Sequence, residues 1–251
     1  MREAAAIAEA ADPEIVDINY GCPVKKVACK GAGAGILQDL PKMQEMTAEI
    51  VKRVNKPETV KTRLGWDDDS IKIVEVAKRL QDVGIQALTI HGRTRKQMYK
   101  GEANWEYIAE VKNQQDIHIP IFGNGDIDSP QKAKLYREKY GVDGIMIGRA
   151  AIGYPWIFNE IKSYLNDGEL IDPPTLEDRI AITKKHLDFS IEWKGDRKGI
   201  FEMRRHYTNY FRGIPHFKPY RTRLVESDDP QEIFQILEEI GDVFAGASLQ
   251  V

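Results

Sequence analysis

The sequence is poor in cysteine: among 251 residues only Cys22 and Cys29 occur, with no neighbouring His or Cys to complete a tetrahedral site. That excludes a disulfide framework and a structural zinc centre, and no other metal site is expected. Reduced thiols in a cytoplasmic protein are the simple reading. Long apolar runs are missing too. None approaches the ~20 residues that a membrane span needs, and the alanine-rich, acidic start from Met1 to Ala6 has no apolar signal core. Nor is there a large excess of either charge. Set against 39 Asp and Glu, 36 Lys and Arg leave a net −3, so any contact with a polyanion must come from local clustering.

What is present is a repeated pattern. Five short apolar runs, 15–19, 59–63, 87–91, 119–123 and 144–148, are each followed by a turn and a helix-like stretch. Met43, Met46, Ile50 and Val54 share one helical face, as do Ile71, Val74, Ala77 and Leu80. Strands alternating with helices predict an α/β domain of parallel strands joined by right-handed crossovers. After the break at Ile171-Asp172-Pro173-Pro174 the strand pattern stops. Leu176, Ile180, Leu187 and Ile191, then Met203, Tyr207, Tyr210, Phe211 and Ile214, then Ile233, Ile236, Leu237, Ile240 and Phe244 repeat at helical spacing. The expected division is an α/β domain over 1–168 and a small all-α domain over 169–251.

Polar residues gather where the runs end. Asp17-Ile18-Asn19-Tyr20-Gly21-Cys22-Pro23 places a thiol between a glycine and a rigid proline at a strand's carboxyl end, where parallel α/β folds build active sites. Lys61 and Arg63 end the second run and His91 the third. Asn124, Gly125 and Asp126 follow the fourth, and Gly148 and Arg149 the fifth. Each has a plain alternative: Cys22 as packing, Lys61 as a solvated charge, His91 as a satisfied structural histidine. Together they form one rim, and glycine-rich turns after the last two strands suit a phosphate. Gly31-Ala32-Gly33-Ala34-Gly35 lacks the residues of a P-loop or a dinucleotide fingerprint and reads as a tight turn. Asp67-Asp68-Asp69 with Ser70 reads as the N-terminus of the next helix.

In the helical part Arg204, Arg205, Arg212, Lys218 and Arg221 are interleaved with aromatics. That composition suits phosphate contact with base stacking on RNA. From composition alone it suits slightly better a set of helices whose aromatics are core and whose arginines are solvated.

The stretches DINYGCPVKKV (17–27), VKTRLGW (60–66), LTIHGRTR (88–95), GNGDI (123–127) and GIMIGRAAIGYPWIF (144–158) occur in this order, and with them the chain resembles the tRNA-dihydrouridine synthases, closest to the bacterial B-type branch. The helical tail with Arg204-Arg205-His206-Tyr207 resembles that family's tRNA-binding domain more loosely. The resemblance implies an FMN enzyme, reduced by NADPH, that converts uridine in tRNA to 5,6-dihydrouridine. Cys22 matches the proton donor to C5. Lys61 matches the lysine at the flavin ring, and His91 the histidine near flavin and substrate. Asn124, Gly125, Asp126, Gly148 and Arg149 match the ribityl-phosphate positions. Arg93 and Arg95 are expected at tRNA phosphate.

The family's fold is a TIM (β/α)8 barrel. The five strands here correspond to its fourth through eighth, a partial barrel whose unpaired edges would favour self-association. Two other readings stand beside this one: an FMN barrel oxidoreductase acting on a free pyrimidine, resembling dihydroorotate dehydrogenases, and a non-catalytic RNA-binding remnant. The basic-aromatic tail argues against the first, and the intact Cys22, Lys61, Asn124 and Arg149 against the second.

Overall fold

Alternation along the extended runs decides which face of each strand is buried. A computed structural model describes residues 1–246. Its first half runs α1 (Arg2–Ala10), β1 (Val16–Asn19), α2 (Lys25–Ala28), α3 (Leu40–Val51), β2 (Glu58–Arg63), α4 (Ile73–Asp82), β3 (Ala87–His91), α5 (Glu106–Lys112), β4 (Ile121–Asn124), α6 (Pro130–Tyr140) and β5 (Gly144–Met146). The strands form one parallel sheet in the order β1-β2-β3-β4-β5. In a sheet whose spatial order follows the chain, every right-handed crossover falls on the same side. The helices accordingly form one layer, with α3 packed on α4, α4 on α5 and α5 on α6.

Register sorts the side chains into two faces. Ile18, Val60, Leu88 and Ile121 stand side by side beneath the helices and are buried. The opposite face carries Asn19, Lys61, Thr89, Phe122 and Gly144 in one row, and Arg63, His91, Asn124 and Met146 in the next row toward the carboxyl ends. The helical layer covers the first face only.

Helix boundaries have local causes. Asp39 caps α3 by accepting from the Lys42 N–H, and Ser129 caps α6 by accepting from the Lys132 N–H, each with proline in the first turn. α4 begins later than its apolar spacing suggests, because Ile71 is held extended by an antiparallel bridge to Gly65. Its buried face is therefore Ile73, Val76, Ala77 and Leu80, with Val74 half-buried. Asp67 and Ser70 cap each other's backbone around a single 3-10 turn, Asp68–Ser70, rather than the helix itself. Among the described residues no group of three or more His, Cys, Asp and Glu is placed to hold a metal ion. No helix among them is long and apolar enough to cross a membrane.

The chain divides into two compact units, Met1–Gly148 and a second that opens at Arg149, ahead of the change of pattern read at 168/169. Residues 247–251 of the expected helical domain lie outside the described residues. The second unit holds α7 (Ile157–Asn166), α8 (Leu176–Lys194), α9 (Asp196–Tyr210), α10 (Lys218–Glu226) and α11 (Pro230–Val243). Gly195 (φ 78°) turns α8 into α9, and Gly199 lets α9 approach closely: a Cβ there would lie 2.7 Å from the Ser190 carbonyl oxygen. Leu187, Ile200, Met203, Tyr207, Leu224, Ile236 and Leu237 fill its core.

Strand β4 needs glycine for a packing reason. A Cβ on Gly123 would sit 2.0 Å from the Trp105 ring, which is buried and donates its indole N–H to the Gly125 carbonyl at 3.0 Å. Gly123→Ala is therefore expected to cost about 1–3 kcal/mol as the ring is forced aside. A lowered urea midpoint with an altered tryptophan emission would show it; an unchanged midpoint would mean that the ring gives way freely.

Candidate active site

The thiol of Cys22 is positioned by backbone contacts that the surrounding glycines make possible. The Cys22 carbonyl accepts from the Ala34 N–H at 3.0 Å. Gly33, at φ +52°, lies directly behind it: a Cβ there would fall 2.9 Å from both the Cys22 Cβ and its carbonyl oxygen. Gly35 lies against α2, where a Cβ would be 2.1 Å from the Ala28 carbonyl oxygen. The glycine-broken stretch is thus the floor of the cysteine loop as well as a turn. On the strand side, the Asn19 side chain accepts from the Gly21 N–H at 2.8 Å, and Tyr20 N–H bonds the Lys61 carbonyl at 2.8 Å. Cys22 ends half-buried, whereas Cys29 is exposed.

Arg63 ties this loop to the next. Its guanidinium, 2% exposed, donates from Nε to the Gly21 carbonyl (2.8 Å) and from Nη1 to the carbonyls of Thr94 (3.0 Å) and Met98 (2.9 Å). Burial pulls its pKa down to about 10, so it stays a cation at neutral pH. The strand-end position of Arg63 was legible in the sequence, but its role as the clamp between two loops was not. Three backbone carbonyls leave no residue pattern to read.

Lys61 stands one register step back on the same face. Its Nζ would lie 3.7 Å from a Cβ on Gly21, next to the cysteine loop. Burial, then the charge of Arg63, pushes its pKa below the ordinary lysine range. No described residue accepts a hydrogen bond from it. A half-buried ammonium without an acceptor favours an electron-rich ligand.

His91, Arg93 and Asp126 form one network. Arg93 is 2% exposed and makes a bidentate pair with Asp126, Nη1 to Oδ1 at 2.8 Å and Nη2 to Oδ2 at 2.7 Å. It also donates to the carbonyls of Lys100 (3.2 Å) and Gly101 (2.5 Å) and to His91 Nε2 (3.3 Å). All five of its N–H groups are thereby used. The phosphate-facing place expected for Arg93 is therefore not the one it has. The Asp126 carboxylate, expected at the cofactor, is likewise engaged by Arg93 and by the Ala103 N–H at 2.8 Å. His91 is buried, and its pKa falls to about 3, first through desolvation and then through Arg63, Lys61 and Arg93. It is neutral at physiological pH.

The remaining expected residues are placed as follows. Asn124 donates to the Met146 carbonyl at 2.8 Å. Gly125 takes φ +128°, and a Cβ on it would crowd Ala103 at 2.5 Å and the His91 ring at 3.1 Å. Gly148 is exposed, with nothing within 4 Å of an added Cβ. Arg149 opens the second unit on a short 3-10 turn, Arg149–Ala151. Arg95 stacks on Trp66, its guanidinium carbon 4.5 Å from the ring centroid.

In the second unit the interleaved aromatics do not face solvent. Tyr207, Tyr210, Phe211 and Phe217 belong to the core, so base stacking on them is excluded by burial. Exposed aromatics of this unit are Phe158 on α7, Phe189 and Trp193 on α8 and Phe201 on α9, with Trp193 at 86%. Arg204 pairs with Asp228 and lies 4.2 Å from the Phe201 centroid, and Arg205 pairs with Glu202. Arg212, Lys218 and Arg221 are exposed.

Comparison with known proteins shows what the chain is similar to. The family model for dihydrouridine synthase (Dus) matches residues 1–245. A probable tRNA-dihydrouridine synthase 1 of Synechocystis sp. is 42% identical over 239 residues, covering 95% of this chain and 66% of that protein. The tRNA-dihydrouridine synthase B of Pseudomonas putida is 43% identical over 221 residues, 88% of this chain and 65% of that protein. That of Proteus vulgaris is 41% identical over 238 residues, covering 95% and 73%. The chain thus spans about two thirds of the length of the curated relatives it matches.

If Arg63 holds the cysteine loop, Arg63→Met should raise the alkylation rate of Cys22 about tenfold, the equivalent of about 1.4 kcal/mol of lost clamp. Exposed Cys29 serves as the internal reference. An unchanged Cys22-to-Cys29 ratio in peptide mapping would remove Arg63 from that role.

Proposed function

The chain belongs to the dihydrouridine synthase family, and from that premise we propose that it reduces uridine in tRNA to 5,6-dihydrouridine, with FMN as cofactor and NADPH as reductant. The observation that carries this reading is a half-buried thiol at the carboxyl end of β1, in a loop clamped by Arg63 and flanked by the acceptor-free ammonium of Lys61. The sequential strand order and one-sided helical layer support an arc of a (β/α)8 barrel, with the strands as its fourth through eighth and the uncovered face as its interior.

The rim residues fit a flavin. Lys61 offers a cation to the electron-rich edge of an isoalloxazine ring, where charge collects on reduction. His91 and Asn124 lie on the same face one register step on, and Gly148 leaves open space at the end of β5. When bound, FMN supplies the hydride that saturates the pyrimidine. The protein's part is to orient, to stabilise charge and to deliver one proton. Cys22 holds that proton at Sγ and gives it to the pyrimidine C5; the balance is one hydride and one proton added across a C=C bond, and water reprotonates the thiolate. Gly21, Pro23 and Gly33 fix the loop so that Sγ need not search for its position.

On the RNA side, exposed Arg212, Lys218 and Arg221 meet phosphates, and Arg95 presents a stacked guanidinium. Arg204 and Arg205 contribute less, since each already has a carboxylate.

The test is made in a strain whose tRNA lacks dihydrouridine, using the chain extended to its relatives' length and reading tRNA digests by mass spectrometry. Cys22→Ala is expected to lower modification about 10²-fold or more while flavin absorbance is retained. Modification at the native level would remove Cys22 from the chemistry. Replacing Arg212, Lys218 and Arg221 together should weaken tRNA binding and flatten its salt dependence by about one slope unit per lost contact. Binding and salt slope both unchanged would show that these cations do not meet phosphate.

A further inference from the structure

The network around His91 does more than fill space. A guanidinium has donors and no acceptor, so the 3.3 Å contact between Arg93 Nη1 and His91 Nε2 can be a hydrogen bond only if Nε2 carries no proton. Arg93 cannot turn away from this contact. Its two-point pairing with Asp126 and its bonds to the carbonyls of Lys100 and Gly101 hold the plane of the fork. The Asp126 backbone, at φ +58°, is itself in the left-handed region, and its carboxylate is further anchored by the Ala103 N–H.

We infer that Arg93 is a positioning residue that sets the tautomer of His91, leaving Nδ1–H as the ring's one donor, offered to an acceptor oxygen of the ligand on the sheet's uncovered face. Nδ1 has no acceptor among the described residues. The use of that donor rests on the proposed flavin and pyrimidine reading; the tautomer does not. Charged groups facing the ring are Lys61 and Arg63 from β2, Arg93 from the loop after β3, and Asp126 from the loop after β4. Three cations against one carboxylate, added to burial, oppose a second proton on the ring, which stays neutral. Interactions of His91 with a ligand should therefore not titrate through the neutral range.

The imidazole nitrogens can be read directly by two-dimensional ¹H–¹⁵N correlation on histidine-labelled protein. The sequence has five histidines, and His91→Gln assigns the signal. The native spectrum is expected to show His91 protonated at Nδ1 and unshifted between about pH 5 and pH 8. In Arg93→Met the ring should move toward the Nε2-protonated form. Asp126→Asn keeps the Arg93 charge but loosens the fork, and should give a mixture of both tautomers. A native ring protonated at Nε2, or a pattern unmoved in both variants, would overturn the assignment. If Arg93→Met does not fold, the native spectrum and Asp126→Asn still decide it. No flavin or RNA is needed, so this result and the failure or success of the dihydrouridine reading are separate.

Discussion

Three cations, Lys61, Arg63 and Arg93, crowd the carboxyl ends of β2 and β3, and among the described residues only Arg93 is paired with a carboxylate. Everything else about the rim follows from how that excess is accommodated. Removing a cation from water costs several kcal/mol. Hydrogen bonds from a charged group return about 1.5–3 kcal/mol each, so the three carbonyls that Arg63 engages are enough to offset its burial. Because those carbonyls belong to Gly21, Thr94 and Met98, solvating the charge and joining two loops are the same act. Lys61 has no such set of acceptors. Its depressed pKa records an ammonium that an electron-rich ligand would relieve, which is what a flavin edge offers in the proposed reaction.

The thiol depends on the same arrangement from the other side. Cys22 lies in a loop whose strand end is held by Arg63 and whose rear is closed by Gly33 and Gly35, where no larger residue fits. The proton donor of the proposed reaction gains little from flexibility: the reacting carbon must lie within contact distance when the charge develops. Its loop, like the strand before it, is held by hydrogen bonds to its backbone.

Much of this was legible in the sequence, for reasons that can be stated residue by residue. The apolar runs marked the five strands to within a residue or two, because the face beneath the helices is apolar along each strand, as at Ile18, Val60, Leu88 and Ile121. Polar residues clustered just past them marked the rim. What could not be read was pairing across distance. Nothing local couples Arg93 to Asp126, and both were expected at ligands, yet they bond each other. Nor does composition separate a stacking aromatic from a core one. Tyr207 and Tyr210 lie at the spacing that suits either, and the structure buries them while exposing Trp193. Ile71 carries the apolar character of a helix position but is taken by a bridge to Gly65, an antiparallel contact that no helical periodicity foretells.

In the proposed reaction the cationic rim at the carboxyl ends of β2 and β3 holds an electron-rich cofactor, with Cys22 beside it rather than bound to it. The most direct measurement is a fluorescence titration of FMN into the chain at its relatives' full length, run in parallel on Lys61→Met and Cys22→Ala. Lys61→Met is expected to weaken FMN binding about tenfold, equivalent to about 1.4 kcal/mol, and Cys22→Ala to leave it unchanged. FMN binding unaffected by the loss of Lys61, or lost with Cys22, would contradict it.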